Sequence, residues 1–271
     1  MENVSRKIED STIMLPDGRM HYLSLGSGST IILLHSMARS VFAWHKVLER
    51  LAENHTVYAL DTMGQGDSAK PSRDFSITDY AASVVDFMKA KGIGRAAFIG
   101  NSVGAPFAIQ IAAAQQIMVD KLVLVGCPCF ETEEERRDAL TTSRASYDDN
   151  GMPLPRSLED LRQHYVHVSA DLQKKVNEDR AKAGVWAWKC TNALFNFDIV
   201  SALERIKADT LIVFGEQDMH MLRSKEEVLK GHIKGSKLAI IPQAGHLPQV
   251  DNPDAFLEVV LPFLEETLHS D

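Results

Sequence analysis

The chain has few cysteines, no excess of basic residues and no long hydrophobic run. Three Cys among 271 residues are too few, and odd in number, for a disulfide framework. Lys and Arg number 29 against 37 Asp and Glu, a net charge of −8. A protein of this charge repels phosphate backbones, so a nucleic-acid partner is disfavoured. The longest purely apolar stretches have about five residues, far short of the roughly 20 that a membrane-spanning helix needs.

Motifs for targeting and for cofactors are also lacking. The N-terminal stretch MENVSRKIEDSTIML is too charged for a signal peptide, which predicts a cytoplasmic protein. Cys127 and Cys129 form Cys-Pro-Cys, but no second ligand pair follows, and we interpret them as small buried thiols. His164 and His167 have no nearby third ligand. The sequence therefore predicts no metal and no organic cofactor.

Short apolar runs that alternate with helical patterns dominate the rest of the chain. Hydrophobic residues make up 45% of it, enough for a large core. A Pro-Asp-Gly turn predicts an N-terminal hairpin over 11–28. The alternation beyond it is typical of an α/β fold with a mostly parallel central sheet flanked by helices. The predicted strands are 30–34, 56–60, 96–99, 121–126, 210–214 and 237–241. The predicted helices are 41–53, 77–91, 103–116, 223–232 and 254–268.

One segment interrupts this alternation. Residues 130–205 are charged and helical in pattern, without a convincing strand. About 75 residues between two strands of a sheet are typical of an inserted domain rather than of a loop. We therefore predict a helical cap over 130–205, on a core formed by 1–129 and 206–271.

The cap contains several aromatic side chains that give it an apolar face. They are Trp186, Trp188, Phe195 and Phe197. These side chains either pack the cap onto the core or contact a substrate held between the two. We take Trp186 and Trp188, together with Ser36 on the core side, as candidate substrate contacts.

The stretch GNSVG, residues 100–104, places a serine between a predicted strand and a predicted helix. A serine hydroxyl is a weak nucleophile until a base removes its proton. A sharp strand-to-helix turn exposes the side chain, and the crowded backbone there requires glycine on both sides. Ser102 is therefore the candidate nucleophile.

The partners of such a serine are expected downstream, with the acid before the histidine. His246 follows the strand 237–241 in a loop that contains glycine, which suits a general base. Asp218 follows the strand 210–214, where a carboxylate can orient the imidazole. Glu216 and Asp251 are the rival acids, and Asp251 is the more natural partner of the last helix.

Backbone amides that stabilise an oxyanion are expected next to the nucleophile and after the first parallel strand. The amides of Val103 and Met37 are the predicted pair, with Ser36 as the alternative donor. His35 is interpreted as a structural residue at a strand end. The loop DTMGQGDS, residues 61–68, lacks the lysine of a P-loop, and we interpret it as a tight loop beside the site.

The motifs His35-Ser36, DTMGQGDS, GNSVG, GEQD and AGHLPQVDNP, in this order, resemble those of the α/β-hydrolase superfamily with a cap domain. The resemblance covers nearly the whole chain, least securely residues 130–205. It implies Ser102, Asp218 and His246 as the triad. Asn101 in the elbow resembles carbon–carbon bond hydrolases of aromatic meta-cleavage pathways, and HSMARSVFAW resembles enol-lactone hydrolases. Carbon–carbon bond hydrolases typically have a glycine-rich run after the histidine at this position, and this chain lacks such a run after His35.

The resulting expectation is a serine hydrolase that cleaves a small, partly hydrophobic ester, lactone or thioester through an acyl-enzyme. The alternatives are a carbon–carbon bond hydrolase, a lyase or a non-catalytic ligand receptor on the same fold. A fluorophosphonate probe separates an activated serine from a receptor. The expected partner is a small molecule, with no nucleic acid and no membrane. The sequence is compatible with a homo-oligomer and does not set the oligomeric state.

Overall fold

The computed structural model describes residues 7–266, and at residues 220 and 221 it describes the backbone alone. Residues 1–6 of the charged N-terminal stretch, and the last two residues of the helix predicted over 254–268, lie outside this part of the chain. No helix in the described part is long and apolar enough to cross a bilayer.

The centre of the molecule is an eight-stranded sheet with the order β1-β2-β4-β3-β5-β6-β7-β8. Its strands are β1 Glu9–Leu15, β2 Gly18–Gly26, β3 Ser29–Leu34, β4 His55–Leu60, β5 Ala96–Asn101, β6 Val119–Val125, β7 Asp209–Gly215 and β8 Lys237–Ile241. β1 and β2 form the predicted hairpin, and β2 also pairs antiparallel with β4. The other six strands lie side by side in the order β4, β3, β5, β6, β7, β8, and each is parallel to its neighbours among them. The predicted fold class is confirmed.

Helices cover both faces of the sheet. They are α1 Leu48–Leu51, α2 Ile77–Ala90, α3 Gly104–Ala114, α4 Glu133–Arg144, α5 Leu158–Leu161, α6 Ala170–Ala183, α7 Val185–Phe195, α8 Ile199–Leu203, α9 His220–Arg223, α10 Glu226–His232, α11 Pro248–Asp251 and α12 Pro253–Glu265. The helix predicted over 41–53 is divided into a 3₁₀ turn, Val41–Trp44, and the single turn α1. The hydrogen bond from Val47 N to Trp44 O closes the tighter turn between them.

The sheet is buried on both faces, which explains its continuous apolar runs. Ile32 and Leu34 of β3 pack in the cluster that contains α2 and α3. Ile31 and Leu33 pack on the opposite side, in the cluster that contains α12. All four side chains are at most 1% exposed. Because successive strand residues face opposite sides, a strand between two helical layers must be apolar at every position.

Five helices, α4 to α8, lie between β6 and β7, in the segment predicted as a cap. Helix α7 packs on α4 and α6, whereas α8 packs on α3 beside the sheet. The parallel strands place their carboxyl ends at one edge of the sheet, and the residues that follow β3, β5, β7 and β8 meet there. The division into a cap over 130–205 and a core over the rest stays a prediction.

Candidate active site

Ser102 occupies a strained turn between β5 and α3. Its backbone φ is 53°, in the left-handed region that non-glycine residues rarely adopt. Its amide donates to the carbonyl of Val125 on β6, at 2.8 Å. A Cβ on Gly104 would overlap the carbonyl of Leu34, and one on Gly100 would overlap the backbone of Gly104. At both glycines another backbone segment lies too close for a side chain. The absence of a side chain at these two positions therefore permits so sharp a turn.

His246 and Asp218 form a hydrogen-bonded pair at the same edge of the sheet. Asp218 follows β7, His246 follows β8, and His246 Nδ1 lies 3.0 Å from Asp218 Oδ1 and 3.3 Å from Oδ2. The Asp218 side chain is fully buried and also accepts from the amide of Met219 at 2.7 Å. A carboxylate on Nδ1 favours the tautomer in which Nδ1 carries the proton and Nε2 is free to act as a base.

The two rival carboxylates have other partners. Glu216 is exposed, and its carboxylate accepts from the amide of Gln243 at 3.1 Å. Asp251 accepts from the backbone amides of Gly245, Val166 and His167 at 2.9, 3.1 and 3.3 Å. Burial raises the pKa of Asp251. Asp251 therefore ties the histidine loop to the segment after α5.

A cavity of about 490 Å³ lies between this edge of the sheet and the inserted helices. Ser36, Met37, Ser102 and His246 line it from the core side. Among the described residues, the Ser102 hydroxyl has no hydrogen-bond partner, and the amides of Met37 and Val103 donate to no protein acceptor. The structure thus brings the predicted nucleophile and base to one cavity. A role for the two amides in binding an oxyanion stays a prediction.

The two candidate tryptophans of the cap do not line this cavity. The Trp186 side chain is 7% exposed and packs closely on Gly64 of the core. Trp188 packs against the ring of Tyr147, with centroids 5.1 Å apart. The aromatic residues in the cavity wall are instead Tyr147, Tyr165 and Phe195. Trp186 therefore packs the inserted segment onto the core, and Trp188 packs within the segment.

His35 and the loop 61–68 are held together by hydrogen bonds within the core. The fully buried His35 lies with Nδ1 2.8 Å from the carbonyl of Ser36, and its Nε2 accepts from the amide of Thr62 at 3.1 Å. Burial lowers the pKa of His35, and both ring nitrogens are satisfied by the neutral imidazole.

Three side chains beside this loop also have the spacing of metal ligands. The ligand atoms of His21, Asp61 and Asp67 lie within 4.8 Å of one another. Asp61 Oδ2 is, however, 2.7 Å from His21 Nδ1 and accepts from the Asp67 amide at 2.8 Å. Its other oxygen accepts from the amide of Val41 at 2.7 Å. The carboxylate therefore already serves to hold the loop together.

Asn101, which in the sequence indicates only a subfamily, is a positioning residue in the structure. Its buried side-chain amide donates to the carbonyls of Val125 at 3.2 Å and His246 at 3.1 Å. Its oxygen accepts from Gln249 at 3.4 Å. Asn101 thus connects the serine turn to the histidine loop. No local pattern could reveal this, because its partners lie up to 148 positions away along the chain.

His164, which has no nearby third metal ligand in the sequence, lies in the cavity wall. Its ring centroid is 6.0 Å from that of His246, and its carbonyl accepts from the His246 amide at 2.7 Å. Burial, followed by the nearby His246, lowers the pKa of His164 to about 3. His164 is therefore neutral at pH 7.

This depressed pKa predicts a specific loss of stability in acid. The unfolded chain takes up a proton at His164 below its ordinary pKa, about 6.5, whereas the folded protein does not, so stability falls as pH falls from about 6.5 towards 3. Between pH 7 and pH 5 the loss is about 2 kcal/mol. His164→Gln should reduce the pH dependence of the free energy of unfolding by this amount, measured by urea denaturation. The exposed His167→Gln is the control, and equal pH dependence in wild type and His164→Gln would contradict the assignment.

A serine on a strand-to-helix turn, with a histidine–aspartate pair beyond later strands, defines a hydrolase-like site on an α/β sheet. Residues 31–259 match the family model described as the Alpha/beta hydrolase family. The chain belongs to this family, and the prediction of an α/β-hydrolase enzyme is confirmed.

Named relatives and solved structures agree with this family. The chain is similar to N-formylmaleamate deformylase of Pseudomonas putida, at 28% identity over 268 residues, covering 92% of this chain and 94% of the relative. It is also similar to 2-hydroxy-6-oxo-6-(2'-aminophenyl)hexa-2,4-dienoic acid hydrolase of Metapseudomonas resinovorans, at 23% identity over 258 residues, with 90% and 86% covered. The enol-lactonase of Burkholderia xenovorans LB400 superposes with a TM-score of 0.78, at 21% identity and with 94% and 100% covered. At this identity the superposition supports the fold alone.

Proposed function

We propose that the protein is a serine hydrolase that cleaves a small ester, lactone or thioester through an acyl-enzyme. The observation that carries the proposal is the His246–Asp218 pair, 3.0 Å between Nδ1 and Oδ1, beside a cavity that Ser102 shares with His246. A buried carboxylate on Nδ1 orients the imidazole and stabilises its protonated form during the reaction. A structural histidine would need neither the adjacent cavity nor a serine held in a strained conformation.

In the proposed first half-reaction, Ser102 Oγ bonds to the substrate carbonyl carbon while His246 Nε2 takes the hydroxyl proton. The carbonyl oxygen becomes an oxyanion, which the amides of Met37 and Val103 stabilise; Val103 lies at the start of α3, where the helix dipole also favours negative charge. The bond to the leaving group then breaks, and His246 returns the proton to that group. Water, deprotonated by His246, attacks the acyl carbon and releases the acid and Ser102.

The walls of the cavity support a small and partly apolar acyl group. About 490 Å³ is the size of a small-molecule site. The apolar and aromatic lining residues include Leu161, Tyr165, Val176, Leu194 and Phe195. All five lie in the inserted segment, so its helices set the shape of the acyl site in this proposal.

The test of the proposal uses a fluorophosphonate probe and a panel of nitrophenyl esters, lactones and thioesters. The wild-type protein should be labelled at Ser102, confirmed by peptide mass analysis, and should hydrolyse at least one member of the panel. A protein that is neither labelled nor active on any of them, yet binds small ligands tightly, would be a receptor instead.

Carbon–carbon bond hydrolysis is the second candidate. It is supported by the similarity to a relative named for 2-hydroxy-6-oxo-6-(2'-aminophenyl)hexa-2,4-dienoic acid, together with Asn101 in the serine turn. Turnover of that compound without turnover of any ester, lactone or thioester would replace ester hydrolysis by this activity.

A further inference from the structure

The cavity contains more positive charge than the proposed chemistry of Ser102 and His246 requires. Three arginines line it, namely Arg39, Arg156 and Arg180. No Asp or Glu is among its described lining residues. Arg39 follows β3 on the core side, whereas Arg156 and Arg180 come from the inserted segment. The positive groups therefore converge on the cavity from both of its walls.

Arg39 is buried with free hydrogen-bonding capacity. It is 5% exposed, and none of its three guanidinium nitrogens makes a hydrogen bond to the described residues. Protein encloses Nε and Nη1, and Nη2 is the nitrogen that stays accessible. Asp179 Oδ2, which also has no hydrogen-bond partner among the described residues, lies 4.0 Å from Nε, at ion-pair distance but beyond hydrogen-bond distance. Asp179 is instead bonded through its other oxygen, which accepts from Ser40 Oγ at 2.9 Å and lies 3.1 Å from Lys175 Nζ. Burying a cation without hydrogen bonds is costly, and the pair with Asp179 offsets this cost only in part, so this guanidinium is suited to bind an anion that enters the cavity.

The other two arginines are held by hydrogen bonds to neutral groups, so they add positive charge to the cavity. Arg180 is 9% exposed and donates to the carbonyls of Leu154 at 2.8 Å and Ser146 at 3.2 Å. Arg156 donates to Ser146 Oγ at 2.8 Å. Burial and the neighbouring charges of Arg156 and Arg39 lower the pKa of Arg180 to about 10. Their acceptors are neutral, so the cavity remains positive.

We propose that the substrate carries a carboxylate in addition to its reacting carbonyl, and that Arg39, supported by Arg156 and Arg180, binds this carboxylate in the cavity beside Ser102. A carboxylate accepts a charge-assisted hydrogen bond from a guanidinium, and Nη2 is the nitrogen of Arg39 that protein does not enclose. The cavity is also small and partly apolar, which suits the monoester or lactone of a dicarboxylic acid. The inference rests on the proposed function, because the reacting carbonyl is assigned to Ser102.

The activity test compares two methyl esters that differ only at the end of the acyl chain away from the ester group. Monomethyl adipate carries a carboxylate where methyl hexanoate carries a methyl group. Shorter and longer homologues vary the distance between the ester and the carboxylate. Methanol release should show that wild type prefers the monoester by about 10- to 100-fold in kcat/KM, the value of hydrogen bonds to a charged group. Arg39→Met should remove this preference mainly through KM, and should change hydrolysis of methyl hexanoate less than about 3-fold.

The control is Arg137→Met, because Arg137 lies exposed on α4, pairs with Glu133 and does not line the cavity. It should leave the preference for the monoester unchanged. Arg39→Met is expected to fold because Asp179 keeps its contacts to Ser40 and Lys175, and a thermal melt checks this. Should Arg39→Met fail to fold, Arg156→Met provides the same comparison, with a smaller loss of preference. Equal kcat/KM for the two esters in wild type overturns the inference.

A binding test separates this inference from the proposed function. In the inactive Ser102→Ala protein, adipate should raise the melting temperature, and the rise should disappear in Ser102→Ala/Arg39→Met. Inorganic phosphate is the comparison anion, and a larger shift with phosphate than with adipate would overturn the carboxylate assignment.

If adipate binds through Arg39 while the wild type is neither labelled by fluorophosphonate nor active on any ester, the proposed function fails and the anion site stands. If Ser102 is labelled and esters are hydrolysed without any preference for the monoester, the proposed function stands and the carboxylate site fails.

Discussion

Replacing Ser102 by alanine is expected to reduce kcat/KM for the best ester by about 10,000-fold or more. The substitution removes the only protein atom that bonds to the acyl carbon in the proposed mechanism, so no acyl-enzyme forms. Residual catalysis by the remaining groups, chiefly the oxyanion site and substrate binding, sets the upper limit of the loss. Labelling by the fluorophosphonate probe should be lost as well.

The same variant should remain folded. Alanine at 102 keeps the Cβ that the turn already accommodates at a φ of 53°, and the Ser102 hydroxyl has no hydrogen-bond partner among the described residues to lose. The matched control is Ser83→Ala, because Ser83 is a buried serine of α2 whose hydroxyl donates to the carbonyl of Tyr80. Both variants should melt within a few degrees of wild type, and only the control should retain activity. Retained ester turnover in a folded Ser102→Ala protein would remove the serine from the mechanism.

Replacing Asp218 by asparagine should reduce kcat by about 1,000- to 10,000-fold, the size of the effect in serine proteases with the same arrangement. Asparagine keeps the shape of the side chain, but its amide can donate to Nδ1. It then favours the tautomer with the proton on Nε2, which cannot accept the proton of Ser102. The charge that stabilises the imidazolium is lost at the same time. Steady-state kinetics and probe labelling rates measure the effect.

Two further substitutions test the choice of acid. Glu216→Gln should leave kcat within about 3-fold of wild type, because Glu216 is exposed and bonds the amide of Gln243 rather than His246. Asp251→Asn should lower the melting temperature more than kcat, because Asp251 accepts from three backbone amides and makes no contact to the imidazole. A loss of 1,000-fold in Asp251→Asn with a normal melting temperature, together with an active Asp218→Asn, would reassign the acid.

The sheet and most of the helices could be predicted from the sequence because the relevant signals are local. Each parallel strand is buried on both faces, so its apolar run is continuous and visible without knowledge of its neighbours. β8 begins and ends where the sequence predicts it, at Lys237–Ile241. The helix expected over 41–53 is interrupted because a 3₁₀ turn, capped by Ser40, takes the place of its first turn. An apolar pattern records which side chains are buried and does not distinguish these two kinds of turn.

The sequence alone determined the candidate serine, histidine and aspartate, because each follows a recognisable strand and the order of strands in this type of fold constrains the order of the partners. Glu216 and Asp251 were rival acids in the sequence, and only the tertiary structure shows that Asp218 is the carboxylate beside His246 Nδ1. It also moved the candidate tryptophans out of the cavity and brought Arg39 and Arg180 into it. The residues lining a cavity between two layers come from distant segments, and their meeting depends on how helices pack. No periodicity within a segment carries that information.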